Sequence, residues 1–233
     1  MKLAGLQKLT LLDFPGHVAC TVFTAGCNLR CPFCHNSELV LPERKPALMD
    51  EEEFFSFLAK RQGILEGVCV TGGEPLLQKD IAPFLRRIRE LGFSVKLDTN
   101  GCFPTILRPL VEQGLVDFVA MDIKNSPARY AATAGLAALD LTAVQESVSF
   151  LLSGAVDYEF RTTVAAGLHD EEDLHAIGQW LTGAKRYFLQ EFKDSGDVLT
   201  PGLRPPAPEQ LARFRDIARQ YVPNTHIRGE SEL

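Results

Sequence analysis

Apolar residues fall into six short runs rich in β-branched and aromatic side chains, and between them lie segments whose apolar positions recur every three or four residues. Short apolar runs bounded by turn residues predict buried strands, and the wider spacing predicts amphipathic helices. Strands are expected at 17–24, 67–71, 93–98, 116–123, 157–165 and 186–192. Helices are expected from Asp50 onward, at 81–91, at 106–113 with Pro109 acceptable only near the start, at 142–153, 170–181 and 209–221. Asp50 with Glu53 and Thr142 with Gln145 have the form of capping boxes. The tail from Pro223 is expected on the surface. Strict alternation of strand and helix implies an α/β fold with a parallel sheet and right-handed crossovers. Six strands rather than eight predict a partial, TIM-like (β/α)6 barrel, which carries its ligands at the C-terminal ends of the strands.

The 233 residues suit one such domain, with a core at about 10–192 and a C-terminal helix and tail at 200–233. A net charge of −6 argues against a broad nucleic-acid footprint or a polybasic membrane surface. No stretch approaches 18 apolar residues and the N-terminus lacks a signal-peptide pattern, so the expected location is cytoplasmic, with neither nucleic acid nor membrane as partner.

The chemistry gathers just after the first strand, in Cys27-Asn28-Leu29-Arg30-Cys31-Pro32-Phe33-Cys34. Thiolates are soft ligands that select iron–sulfur clusters, zinc or Cu(I). Three on one loop can hold three corners of a cubane cluster and leave one iron open. The alternative is a zinc site with His35 as fourth ligand, although adjacent Cys34 and His35 would struggle to point at one tetrahedral metal. Cys20, Cys69 and Cys102 stand apart beside apolar neighbours and read as buried small hydrophobes.

Other strand ends carry polar residues. Gly72-Gly73-Glu74-Pro75 reads either as a turn or as backbone made to approach a ligand, with a carboxylate able to accept from an ammonium. Asp98-Thr99-Asn100-Gly101 could be an ordinary Asn-Gly turn. Asp122 and Lys124 share a side by period two, and could form a simple ion pair. Arg161, inside a strand, needs a polar cavity or a partner. Gln190 or Phe192 can face the same interior, whereas His169 and His175 read as exposed residues of a helix end and a helix face. Asp13-Phe14-Pro15-Gly16 is a turn by its Pro-Gly pair, with Asp13 capping its own backbone.

The C-x3-C-x2-C loop, with Phe33 before its last cysteine and GGEP beyond it, resembles the radical S-adenosylmethionine (SAM) enzymes. That resemblance implies a [4Fe-4S] cluster on Cys27, Cys31 and Cys34, its open iron chelating SAM and its electron breaking the sulfonium to a 5′-deoxyadenosyl radical. It implies SAM contacts from Phe33, His35, Gly72, Gly73, Glu74, Thr99, Asn100, Asp122 and Lys124, and help from Asp98 in holding a cation. Arg161 and Gln190 join these as candidates; a histidine found near the sixth strand in pyruvate formate-lyase activating enzyme has no counterpart here. The DFPG turn through Cys34-His35-Asn36 is most similar to the activating proteins of anaerobic ribonucleoside-triphosphate reductase. By that likeness the partner is a glycyl radical enzyme, the electron donor a low-potential protein such as flavodoxin or ferredoxin, and Asp13 borders the peptide entrance. A pyruvate formate-lyase-like partner, and a small-molecule enzyme resembling 7-carboxy-7-deazaguanine synthase, are the alternatives.

Overall fold

The computed structural model describes residues 1–44, 46–194 and 196–229. Eight strands form one sheet in chain order: β1 (Leu3–Thr10), β2 (Ala19–Thr24), β3 (Gly67–Gly72), β4 (Ser94–Thr99), β5 (Phe118–Asp122), β6 (Asp157–Val164), β7 (Tyr187–Glu191) and β8 (Thr225–Ile227). The six expected strands are β2 to β7, and their mutual pairing is parallel. Two strands were not foreseen. β1 runs antiparallel to β2, and β8 continues the parallel order beyond β7, with Thr225 and Ile227 buried where a surface tail was expected. Among the described residues β1 and β8 do not pair, so the sheet curls without closing and the barrel is partial.

Register explains where the chemistry sits. Thr21 stands beside Cys69 and Cys69 beside Lys96, while Asp98 stands beside Ala120 and Asp122 beside Arg161. Period two places these side chains on the concave face and sends Val22, Val70, Leu97 and Phe160, all fully buried, to the face covered by helices. A side chain of this size stabilises the fold by roughly 1.5–3 kcal/mol when fully buried. The floor of the barrel is apolar: Phe14 packs with Ala19, Phe118 and Ala120, and stacks on His17 at 4.1 Å between ring centroids.

Helices lie between the strands: α1 (Ser37–Val40), α2 (Glu51–Ala59), α3 (Ile81–Glu90), α4 (Pro104–Glu112), α5 (Tyr130–Thr133), α6 (Thr142–Leu152), α7 (Glu171–Trp180) and α8 (Pro208–Arg219). α3 shows the period at work, burying Ile81, Phe84, Leu85 and Ile88. Asp50 caps α2 by accepting from Glu52 N, without the reciprocal bond of a capping box. The box expected at Thr142 is replaced by Asp140, whose Oδ1 accepts from Thr142 N and Oγ1 at 2.9 and 2.7 Å. A capping box forms instead between Asp170 and Asp173. Pro109 lies inside α4 rather than near its start, because the helix begins two residues earlier than expected, with Pro104 in its first turn.

Candidate active site

The loop after β2 carries all three clustered cysteines, and its backbone is held from several sides. Arg30 Nη1 donates to the carbonyls of Cys27 and Leu29 at 2.7 and 2.8 Å, and Arg30 N donates to Ala134 O at 2.9 Å. Cys27, Cys31 and Cys34 line a single cavity of about 340 Å³ inside the sheet's curl. Burial pushes the Cys27 thiol up to about 12 and Cys31 up to about 11, and raises Cys34 as well, so all three are neutral near pH 7 until a metal displaces their protons. One backbone donor already favours the thiolate: Leu29 N points to Cys27 Sγ at 3.4 Å. Among the described residues no three His, Cys, Asp or Glu side chains converge as a single-ion site. Three thiols spaced around one cavity suit a cluster, whose irons take their ligands at separate corners, better than one tetrahedral zinc.

The GGEP segment is bound to that loop backbone to backbone. Gly73 N donates to Thr24 O at 2.9 Å and Glu74 N to Gly26 O at 2.8 Å. Gly72 has φ +126°, and a Cβ on Gly73 would stand 2.0 Å from Gly26 O, so neither position has room for a side chain. Both glycines line the cavity. Glu74 does not: it is buried, and its carboxylate accepts from Leu76 N, from Thr99 Oγ1 at 2.8 Å and from Asn100 N at 2.7 Å. Burial pushes it up to about 7 against those donors. The structure thus makes Glu74 a clamp between β3 and β4, with no oxygen turned to the cavity. Asn100, held by that clamp, donates from Nδ2 to Asn28 Oδ1 at 2.8 Å and so touches the cysteine loop.

A chain of five charges crosses the concave face. Lys124 pairs with Asp122 at 3.0 Å, Asp122 with Arg161 at 3.0 Å, Arg161 with Asp98 at 3.2 Å, and Asp98 with Lys96. Burial raises both carboxyls, but the cations outweigh it, Arg161 foremost, and hold Asp98 and Asp122 below the usual carboxylate range. Burial alone would depress Lys124, yet Asp122 raises it above the ordinary lysine value. Three cations to two anions leave one surplus positive charge, turned toward the cysteines through Lys124. Lys96, 2% exposed at its side chain, is the member that sequence reasoning missed.

A model of the radical SAM superfamily matches residues 21–146, more than half of the chain. The chain belongs to the radical SAM superfamily. A Methanocaldococcus jannaschii protein, provisionally named a glycyl-radical enzyme activating enzyme, is 32% identical over 97% of this chain and 95% of its own. The Escherichia coli K12 pyruvate formate-lyase 1-activating enzyme is 25% identical over 94% of this chain and 96% of its own. A 7-carboxy-7-deazaguanine synthase of Koribacter versatilis is 34% identical, over only 58% of this chain and 56% of its own. In fold, the crystal structure of Streptococcus suis SuiB bound to the precursor peptide SuiA superposes with TM-score 0.69 at 14% identity, over 89% of this chain and 48% of that one.

Radical SAM membership implies a [4Fe-4S] cluster and SAM, and the donor set here fits both: three thiols, two glycines at close approach and one surplus positive charge around one cavity. Of the other expected residues, Phe33, His35, Asp98, Thr99, Asn100, Asp122, Lys124, Arg161 and Gln190 all line it. So do Gln7 from β1, Thr21 and Asn36, which were not foreseen, and Asp13, fixed by Thr21 Oγ1 at 2.6 Å. Burial holds His35 below its usual range. Cys20 and Cys69 are buried as expected, while Cys102 is half-buried. His169 is a correction: it is 3% exposed rather than exposed. Its Nδ1 accepts from Ala165 N, so Nε2 carries the proton and donates to Lys124 O at 2.9 Å. His175 is half-buried, with Nδ1 3.0 Å from the Tyr221 hydroxyl. Among the described residues no helix is long and apolar enough to cross a membrane.

Proposed function

We propose that this protein is an activase that places a glycyl radical on a partner enzyme, and that the partner is anaerobic ribonucleoside-triphosphate reductase. The observation that carries the reading is extent of likeness: activating enzymes match nearly the whole chain, whereas the synthase match stops near half of it. Cys27, Cys31 and Cys34 hold the cluster. When bound, the cluster and SAM would supply radical chemistry able to take one hydrogen atom from a glycine of the partner. The protein's own part is to bind, orient and exclude water. Lys124, kept protonated by Asp122, would offer its surplus charge to the carboxylate of SAM, and the close-packed backbone at Gly72 and Gly73 would receive its amino end. Asp98 and Arg161 fix the far side, while Glu74 keeps Thr99 and Asn100 against the cysteine loop. Phe23, Leu29, Phe33 and Val40 give the cavity its apolar walls.

Access is lateral. Gln7 on β1, exposed, and Gln190 on β7, half-buried, line the cavity from the two sides of the unclosed sheet, and Asp13 borders that opening. A gap between sheet edges admits a strand of polypeptide. Flavodoxin or ferredoxin supplies the electron.

The test is anaerobic. The reconstituted protein is reduced, mixed with SAM and the reductase, and the reductase is examined by EPR. A glycine-centred doublet absent with Cys31→Ala supports the reading. SAM cleavage without any doublet on the reductase, or on a pyruvate formate-lyase-like protein tried in its place, would turn the assignment toward a small-molecule radical SAM enzyme of the synthase kind, which the partial match favours.

A further inference from the structure

β5 stops at Asp122, where its register with β6 ends beside Arg161, so Lys124 carries its ammonium from backbone that lies past the last strand pair. That backbone is held by side chains. Three consecutive carbonyls each accept from a different element: Asp122 O from the Tyr130 hydroxyl at 3.4 Å, Ile123 O from Thr162 Oγ1 at 2.8 Å, and Lys124 O from His169 Nε2 at 2.9 Å. Tyr130, Thr162 and His169 are all buried. Beyond them Asn125 Nδ2 donates to Thr133 Oγ1 at 2.8 Å and to Leu168 O at 2.9 Å, and Ser126 Oγ donates to Asp173 Oδ1 at 2.6 Å.

His169 stands apart from the other two donors. A buried imidazole has two ring nitrogens to satisfy, and here both are spent on backbone, Nδ1 on Ala165 N and Nε2 on Lys124 O. The first bond fixes the tautomer that the second needs. Closing the loop between β6 and α7 does not call for the ring. Leu168 N already donates to Ala165 O at 3.2 Å, Ala166 N donates to Arg204 O at 2.9 Å, and Leu168 O is tied to Asn125. What the ring alone supplies is the bond to Lys124. A lysine side chain reaches its ligand through a flexible four-carbon stem and loses much rotamer freedom when it is ordered. Asp122 holds the tip of Lys124 at 3.0 Å, and His169 holds its root.

Resting on the reading that Lys124 receives the carboxylate of SAM, we infer that His169 is a positioning residue for that lysine: its Nε2–H fixes the Lys124 carbonyl past the end of β5, so that the ammonium meets SAM already in place. The ring itself touches neither cluster nor SAM. Its contribution is to affinity, because less freedom remains to be lost when SAM binds.

The test uses the full-length protein reconstituted anaerobically with iron and sulfide. SAM binding is measured by calorimetry, and KM and kcat are taken from partner-free cleavage of SAM. His169→Ala should retain its iron, bind SAM about tenfold more weakly, raise KM to match and leave kcat at saturating SAM within about twofold. His169→Leu, which fills the ring's space without a donor, should do the same. His169→Gln, whose amide can donate to Lys124 O, should bind SAM within about threefold of wild type. Ser126→Ala removes the bond to Asp173 from the same stretch without touching Lys124, and should lower the melting temperature while SAM binding stays as in wild type. Adding His169→Ala to Lys124→Met should weaken SAM binding no further than Lys124→Met alone, since the ring acts through the lysine. If Lys124→Met binds SAM poorly but His169→Ala and His169→Leu bind as wild type does, the inference is overturned and the role of Lys124 stands. Additive losses in the double variant, or an equal loss in Ser126→Ala, would overturn it in favour of a general structural role. Lys124→Met that binds SAM as wild type does would remove the reading of Lys124 and the inference together.

Discussion

Replacing Lys96 with methionine tests whether the charges on the concave face act as one connected chain. Lys96 has its side chain 2% exposed and pairs with Asp98, itself 15% exposed and also bound to Arg161 at 3.2 Å. Breaking a buried pair by removing one partner costs about 3–5 kcal/mol when the remaining charge is left alone. Here Asp98 keeps the guanidinium, so the loss should fall below that range, at about 2–3 kcal/mol. Methionine fills nearly the same volume, which separates the charge from a packing defect. For a chain of this size each kcal/mol moves the midpoint by roughly 2–4 °C, so Lys96→Met should melt about 5–10 °C below wild type. A double-mutant cycle with Asp98→Asn isolates the pair, and the coupling should be about 1–3 kcal/mol. A Lys96→Met protein as stable as wild type, or a cycle with no coupling, would refute the view that Lys96 holds Asp98 in place.

Gly73→Ala should lower iron retained after reconstitution several-fold, because the new Cβ would stand 2.0 Å from Gly26 O and displace the cysteine loop; iron and sulfide assays check it. Glu74→Gln swaps one acceptor oxygen for a donor facing N–H groups, and should cost about 1–3 kcal/mol in urea unfolding while weakening SAM binding through Thr99 and Asn100. His169 is held below its ordinary range by burial, outweighing its hydrogen bonds to Lys124 and Ala165 and the field of Asp173, with Arg129 adding to the depression. The unfolded chain therefore binds a proton first, and stability should fall as pH drops below about 6.5 toward the folded value. His169→Gln, which can still donate to Lys124 O, should flatten that part of a melting-temperature profile of the metal-free protein; an unchanged slope would contradict the assignment.

The six parallel strands could be read from sequence because a strand buried on its helix-covered face and ended by glycine or a polar turn leaves a short, dense apolar run. β1 escaped notice because an edge strand needs little burial, and Gly5, Gln7 and Lys8 break any apolar run. β8 is three residues long, and only its place beside β7 buries Thr225 and Ile227. Lys96 was hidden by the same alternation that revealed β4: a polar residue at period two reads as facing solvent, but in a curled sheet it faces the interior. His169 was misread for a similar reason, since its place before a helix cap suggests exposure, and only the return of the chain to Lys124 buries it. Glu74 was expected to contact SAM, but sequence gave no sign that its carboxylate is consumed by Leu76, Thr99 and Asn100. Spacing can reveal a thiol set on one loop. It cannot reveal which polar groups face a cavity and which only build its wall.

The central claim is that Cys27, Cys31 and Cys34 hold a cluster whose open iron takes SAM. The most direct measurement is electron–nuclear double resonance on the anaerobically reconstituted, reduced protein with SAM labelled by ¹⁷O in its carboxylate and ¹⁵N in its amino group. The account predicts a cluster signal coupled to both labels, and no such signal from Cys27→Ala, Cys31→Ala or Cys34→Ala. Retained iron with no coupling to either label, or zinc bound in place of iron, would contradict it.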